Sequence, residues 1–509
     1  MALSNSTLRS LVLASLGCTL AGCAVGPNFV RPKPDVPAQW SSSAVGNSTG
    51  GAAHVTSEGA QTIAWWSTFN DATLTSLVQQ SATENLDVKQ AVLRIQEAQA
   101  QAAVVAGGLW PSLSANASWS RQRISTNTPN GVIFGLNFPG LPPILTNPFS
   151  QYQLGLGASW TPDLFGTERR SIEAANAQMQ AAVEGGHAVL LSMVSDVAAT
   201  YIDLRGAQLR RSILERSLAT QRDLLQLTRD RRNAGLTSDL DVENATAEVG
   251  TTQAQVPLAD REITVDINQL SQLMAKQPQA LRAELGGTQP VPPVPPVVPI
   301  GLPSDLARRR PDIRQAEANL HAATAQVGVA VSNYFPQLTL TAAGGFQSVG
   351  LSRLIETASR FASFGPAIEL PIFEGGRLRA TVRLQRLKAK EAAVIYAQTV
   401  LTALNQVEDA LAAYASDQAR RDSLQTAVTA SRNARQLARQ RYQSGVASFI
   451  DVLDAERSEE QNELAFADAT TAVSADLVQL YRALGGGWEG TGGTDAVHTA
   501  PAKASGAAG

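Results

Sequence analysis

The sequence predicts a mainly α-helical chain with a few transmembrane β-strands, built as two copies of one unit. Three observations lead to this fold class. The composition is low in aromatic (5%) and charged (17%) residues, which is typical of extended helices. A fixed-offset comparison finds an internal repeat. Each copy of the repeat places two alternating segments of about ten residues beside a very long helical pattern.

Residues 1–22 are typical of a secretory signal peptide. Arg9 supplies its positive charge, and the apolar run LVLASLGCTL at 11–20 is too short to span a bilayer. The sequence LAGC that ends at Cys23 resembles a bacterial lipobox, so Cys23 is the predicted lipidation site and the first residue of the mature chain. An ordinary signal with an incidental cysteine is the alternative. By analogy with lipoprotein sorting, Ala24 indicates the outer membrane.

The repeat divides the chain into segments. Residues 86–114 match 311–339 at an offset of 225, and 189–204 match 400–414 at an offset of 210. Prolines in the connecting stretch are expected to exclude helix and to favour an extended linker. The predicted organisation is signal peptide 1–22, extended N-terminal segment 23–66, repeat 1 at 67–275, Pro-rich linker 276–303, repeat 2 at 304–486 and disordered tail 487–509.

Both copies carry the same elements in the same order, namely helix, two strands, very long helix, glycine turn and shorter helix. In repeat 1 the elements are predicted at about 70–107, 112–122, 151–160, 167–232 and 239–275. In repeat 2 they are predicted at about 303–332, 337–346, 361–370, 374–444 and 449–484. The first copy is longer by about 15 residues in a Pro/Gly/Asn-rich loop at 125–149.

The four predicted strands have the length that a tilted strand needs to cross a bilayer. Aromatic residues such as Trp119 and Trp160 lie near their ends, where a barrel places its interfacial girdles. In a soluble protein the same strands would form half of a small sandwich. The long helices lack proline and space apolar residues four and three apart, as in Val400, Leu404 and Val407, which indicates a coiled-coil seam about 100 Å long.

Four strands cannot close a transmembrane barrel, because lipid does not tolerate open sheet edges and the smallest barrels have about eight strands. The chain should therefore oligomerise if its strands cross a membrane. A dimer would supply eight strands and a trimer twelve, and the strands alone do not choose between them. The polar helices would continue as a tube on one side of the membrane, which makes the assembly a conduit.

Several sequence segments resemble those of a known family. They are AWWSTFNDATLTSLVQQSATENLDVKQA (64–91), LARRRPDIRQAEANL (306–320), NYFPQLTL (333–340), LPIFEGGR (370–377) and YQSGVASFIDVLDA (442–455). Over residues 23–485 the chain resembles the TolC-like outer membrane factor family, in particular its lipoprotein branch of the OprM/NodT type. The resemblance implies a homotrimer, with a twelve-stranded outer-membrane β-barrel continuous with a long periplasmic α-helical barrel. It also implies the role of exit duct in a tripartite efflux pump.

The same resemblance implies partners and site residues. The partners are a periplasmic adaptor, an inner-membrane pump of the RND type and outer-membrane lipid, and no cofactor is implied. The glycine turns lie at the periplasmic tip, with adaptor contact on Gly235, Leu236, Thr237, Gly445, Val446 and Ala447. The gate positions are Asp241, Tyr442, Asp451 and Asp454. Some relatives carry arginine where this chain has Ala447, so the inter-helix link of that arginine is not predicted here.

The gate aspartates have a second interpretation. Ser238 with Asp241, and Ser448 with Asp451, have the S-x-x-D spacing of a capping box, and a carboxylate in the first helical turn is favoured by about 0.3–1 kcal/mol. Capping does not explain Asp454, whose counterpart in repeat 1 is Asn244. In a trimer, rings of three carboxylates should repel anions, and crowding should raise the pKa of some of them.

Other functional classes find little support in the sequence. The net charge is −3, and with no strongly basic stretch recognised, neither a nucleic-acid partner nor a polybasic membrane patch is expected. The four histidines lie far apart and no cysteine pair has a ligand spacing, so neither a metal site nor an enzyme is predicted. The alternative function is a lipid-anchored periplasmic coiled-coil scaffold without a pore.

Overall fold

A computed structural model describes residues 24–33, 36–41, 54–56, 63–125, 127–128 and 147–489. The signal peptide, Cys23 and most of the predicted loop at 125–149 lie outside these residues, so the lipidation site stays a prediction.

The described residues form two successive sets of elements in the predicted order. The first set comprises β1 (His54–Thr56), α1 (Ala72–Glu84), α2 (Leu86–Ala106), β2 (Ser112–Gln122), β3 (Phe149–Trp160), α3 (Thr167–Asn233) and α4 (Asp239–Leu273). The connecting segment contains α5 (Arg282–Leu285) and β4 (Val297–Pro299). The second set comprises α6 (Leu306–Arg309), α7 (Pro311–Ser332), β5 (Gln337–Ser348), β6 (Arg360–Glu369), α8 (Arg377–Gln443) and α9 (Phe449–Leu484). The predicted mainly helical fold with four long strands is confirmed.

The first helix of each repeat is interrupted, although the sequence predicted it as one piece. In repeat 1 the side chain of Asn85 accepts hydrogen bonds from the N–H groups of Asp87 (2.8 Å) and Val88 (3.1 Å) and so caps a new helix. In repeat 2 the break lies at Arg310, which has ψ 120°. Pro311 follows it, and the residue before a proline is disfavoured in the α conformation.

One compact unit, whose described residues lie within 24–30, 99–178 and 319–392, contains the long strands. They form an antiparallel sheet in the order β2-β3-β5-β6. The two repeats meet at its centre, where Tyr152 pairs with Ser348 and Trp160 with Leu340. Strands β2 and β6 are the edges, and their side chains Leu113, Trp119, Phe364 and Ile368 are each more than 60% exposed. The strand register places these four side chains on one face, so the sheet has an apolar face and two open edges.

The second unit, whose described residues lie within 31–98, 179–318 and 393–489, contains the main hydrophobic core. Trp65, Tyr201, Tyr414 and Tyr481 are among its largest fully buried side chains. Tyr481 stacks on Trp65 with ring centroids 5.2 Å apart. An apolar window of α3 is long enough to cross a membrane, but 61% of it is buried in the chain. This window therefore has the burial of a core helix.

The connecting segment and the tail differ from the prediction. The linker at 276–303 was expected to exclude helix, yet it contains α5, whose end is held by hydrogen bonds from the buried Gln208 and Arg205 to the backbone carbonyls of Leu285 and Gly287. β4 of the linker pairs in parallel with β1. Trp488, which was assigned to a disordered tail, is buried and stacks on His187 at 4.1 Å. These backbone and ring contacts order segments whose composition alone favours disorder.

Candidate functional site

The two glycine turns have the same geometry. Gly235 and Gly445 have φ +73° and +75°, a left-handed conformation that glycine adopts without steric cost. In each turn the glycine N–H donates to the carbonyl three residues earlier, at 2.9 Å in repeat 1 and 3.0 Å in repeat 2. The N–H of the following residue donates to the carbonyl five residues before it, at 2.8 and 2.9 Å. These are Schellman motifs, and they end α3 and α8 just before α4 and α9 begin.

Each turn presents one large apolar side chain. Leu236 is 67% exposed and Val446 is 68% exposed. An added Cβ at either glycine would meet nothing within 4 Å, so the turns themselves are open on one side. Thr237 and Ala447 are half-buried beneath them. Two small apolar knobs at equivalent places can therefore pack against a partner surface.

The aspartates that follow the turns cap helices. The Asp241 carboxylate accepts a hydrogen bond from the N–H of Ser238 at 3.3 Å and a second from the Thr237 hydroxyl. The Asp451 carboxylate accepts hydrogen bonds from the hydroxyl and the N–H of Ser448, both at 2.8 Å. These two bonds, the hydroxyl first, lower the pKa of Asp451. Within one chain the pKa of Asp451 is therefore shifted downward. The upward shift expected for a ring of carboxylates would require neighbouring copies of the chain.

Asp454 lies one helical turn after Asp451 on α9. Both side chains are exposed, and the i, i+3 spacing places them on the same side of the helix. Asp454 takes no part in the capping box that Ser448 and Asp451 form. Its charge is therefore available to act on solutes or on another chain.

Tyr442 is buried inside the tip, with 3% of its surface exposed. The guanidinium of Arg231 lies 4.4 Å from the centre of its ring, and the Arg231 Nη1 donates to the Tyr442 carbonyl at 3.0 Å. Phe449 meets the ring edge-on at 6.0 Å. Around this contact a small core forms from Leu224, Leu225, Ala245, Tyr442, Phe449, Val452 and Leu453. The contact joins the tips of the two repeats, and no sequence pattern singled out Arg231.

Glu456 is a second residue that the sequence analysis missed. It is 6% exposed, and neither carboxylate oxygen has a hydrogen-bond partner among the described residues. Burial raises its pKa to about 7, with Arg439 and Arg435 lowering it and Glu459 and Glu248 raising it. The spacing held a signal, because Glu456 follows Phe449 by seven residues and so lies on the buried stripe of α9.

The described residues contain no group of three or more His, Cys, Asp or Glu side chains that could hold a metal ion. Of the predicted site residues, the structure brings Asp451 and Asp454 to one exposed face and places Tyr442 in the interior. The arrangement consists of two apolar turns, exposed carboxylates and a buried cluster that joins the helix ends.

Comparisons with known proteins agree on one family. A family model described as outer membrane efflux protein matches residues 77–276 and 302–486. The outer membrane protein OprJ of Pseudomonas aeruginosa is 33% identical over 93% of this chain and 95% of its own length. Nodulation protein T of Rhizobium leguminosarum bv. trifolii is 31% identical over 92% and 95%. The structure of the outer-membrane channel OprN has a TM-score of 0.81 and 34% identity, over 92% of this chain and all of that one.

The buried Glu456 predicts a stability that depends on pH. Because the folded chain raises its pKa from 4.5 to about 7, the stability from its bound proton is complete below about pH 4.5 and is lost as pH rises through about 7. In the wild type this loss should lower the free energy of unfolding by on the order of 2 kcal/mol between about pH 5 and pH 8. Glu456→Gln should abolish that decrease, measured by denaturant unfolding in detergent. Glu243→Gln, at an exposed glutamate near the start of α4, should keep the wild-type slope. Equal slopes in all three proteins would refute the assignment.

Proposed function

We propose that this chain, which belongs to the outer membrane efflux protein family, works as a homotrimer whose three sheets close one twelve-stranded barrel. Its family makes it an outer-membrane exit duct for efflux. Transport, not catalysis, is the activity of that family. The trimer, the lipid anchor, the partners and the gate are our proposals.

The open edges of the sheet carry the proposal. Strands β2 and β6 each have one side without a strand partner in the described sheet, and in lipid every backbone polar group must be paired. Repetition of the chain around an axis pairs β6 of one copy with β2 of the next. Three copies give twelve strands, as the resemblance to TolC-like channels implies. A scaffold without a pore would leave both edges and the apolar side chains of β2 and β6 unexplained.

Lipid on Cys23 would lie close to the sheet. The N–H of Val25 donates to the carbonyl of Phe165 at 3.2 Å, and Ala24 packs so tightly on Gly166 that an added Cβ there would be 2.6 Å from its Cα. These contacts hold the residue after Cys23 at the connection between β3 and α3. Lipidation at Cys23 would therefore add an anchor beside the strands and fix the chain in the outer membrane.

The apolar turns are the proposed adaptor contact. Gly235, Leu236 and Thr237 in one repeat and Gly445, Val446 and Ala447 in the other form two equivalent knobs at the ends of α3 and α8. A periplasmic adaptor would pack on them, and an inner-membrane pump of the RND type would supply the energy. The exposed Leu236 and Val446 support this assignment because burial of apolar surface is the main favourable term in protein–protein association.

The proposed gate consists of Asp241, Asp451 and Asp454, with Tyr442 as an internal anchor. In a trimer, Asp451 and Asp454 would form two rings of three carboxylates. Asp451 and Asp241 also cap helices, so Asp454 is the clearer electrostatic element. Tyr442 would act through Arg231, since their contact ties the ends of α3 and α8 to one another. Cations would be favoured at such a constriction.

The assembly and the anchor can be tested in one experiment. Native mass spectrometry of the full chain extracted from membranes should give the mass of three copies, each carrying lipid that is absent from a Cys23→Ser variant. The same sample should conduct ions in planar bilayers, because a closed barrel is a pore. A monomer that conducts no ions would instead support the scaffold.

The gate is tested by the double variant Asp451→Ala/Asp454→Ala. Removal of six carboxylates from a trimer should lower the preference for cations over anions toward a ratio of one, measured as the reversal potential across a salt gradient. Asp454→Asn alone should give much of this change without weakening the helix start. Unchanged conductance and selectivity in the double variant would exclude these residues as the gate.

The docking knobs are tested by Leu236→Asp/Val446→Asp. A buried charge in an apolar contact should weaken adaptor binding by about tenfold or more, measured with a purified periplasmic adaptor that binds the wild-type chain. The matched control is Leu258→Asp, an exposed leucine of α4 away from the turns. The assignment is wrong if the control weakens binding as much as the double variant.

A further inference from the structure

The first turns of α8 are strongly basic. Residues 377–390, RLRATVRLQRLKAK, contain six arginine or lysine residues, and no acidic residue occurs between Glu374 and Glu391. The expectation that the chain has no strongly basic stretch is therefore wrong here. The near-neutral charge of the whole chain conceals this local excess.

Four of these residues form one surface. Arg379, Arg383, Arg386 and Lys390 are spaced four, three and four residues apart, so they lie within about 60° of each other around the helix. All four are exposed. We call this surface the basic face. None of its members takes part in the ion pairs found among the described residues.

The equivalent part of repeat 1 lacks a basic face. Residues 167–180, TERRSIEAANAQMQ, carry two arginines and two glutamates. Both arginines are neutralised, because Arg169 pairs with Asp163 at 3.1 Å and Arg170 pairs with Glu173 at 2.7 Å. The architecture shared by the two repeats therefore does not require the charge on α8, and a separate role has to explain it.

The basic face follows a transmembrane strand through an apolar loop. β6 ends at Glu369 and α8 begins at Arg377. Between them Ile372 and Phe373 are 92% and 89% exposed. An exposed apolar pair followed within a few residues by clustered cations is typical of a segment that lies at a membrane surface.

We propose that the basic face binds the anionic headgroups of phospholipids in the leaflet on the helical side of the barrel, while Ile372 and Phe373 enter the interfacial region. At 1.5 Å per residue, Arg379 and Arg383 lie about 3 and 9 Å along the helix from its start, within about one screening length in physiological salt. Arg386 and Lys390 lie about 14 and 20 Å from the helix start, so they contribute less to the attraction. The proposal rests on the outer-membrane location of the strands but not on the gate or the adaptor contact.

The test uses the full chain in detergent, with phosphatidylglycerol and phosphatidylcholine as probes in native mass spectrometry. The wild type should bind phosphatidylglycerol at least about tenfold more tightly than phosphatidylcholine, because each cation near an anionic surface contributes. Arg379→Gln/Arg383→Gln/Arg386→Gln should lose this preference, and the corresponding triple lysine variant should keep it. Arg222→Gln/Arg229→Gln/Arg261→Gln, the same charge change at exposed arginines of α3 and α4, should behave as wild type.

Two results would overturn the proposal. One is equal binding of the two lipids by the wild type. The other is a triple glutamine variant whose oligomer dissociates while its remaining assemblies still prefer phosphatidylglycerol. That result would make the basic face a contact between copies. The oligomer mass is read in the same spectra, so failure of the proposed trimer in the wild type is separate from failure of lipid selection.

Discussion

The hydrogen-bonding needs of the sheet edges constrain the rest of the molecule. A backbone group without a partner costs several kcal/mol in lipid, and the sheet exposes a row of such groups on β2 and on β6. Among the described residues, neither edge pairs with a further strand. In the proposed trimer, the β6 edge of one copy would pair with the β2 edge of the next, so each chain would contribute to two such contacts.

Each repeat contributes two strands to the sheet, so each repeat also supplies one of the two open edges. The centre of the sheet is the junction of the repeats, where β3 pairs with β5, and the turns at Gly235 and Gly445 reproduce one another within 2° in φ. Differences between the copies then mark functions beyond the shared fold. Asp454 opposite Asn244 and the basic start of α8 are two such differences, and each adds charge to an exposed surface.

The ends of the long helices combine a fixed backbone with a buried carboxyl group. The cation–π contact of Arg231 with Tyr442 and the capping boxes fix the backbone at the turns. Nearby, Glu456 is buried without a hydrogen-bond partner among the described residues, which is costly for an ionised carboxylate.

The sequence by itself determined the repeat, the four strands, the long helices and the S-x-x-D helix starts, because periodicity, glycine and proline act locally. It also held the basic run of α8, which the near-neutral total charge obscured. Only the tertiary structure decided that Trp488 is buried, that Arg231 covers Tyr442 and that Glu456 has no hydrogen-bond partner among the described residues. The contacts of Trp488 and Arg231 join residues that are distant in sequence, and the missing partner of Glu456 depends on how the helices pack. A local sequence pattern does not determine any of the three.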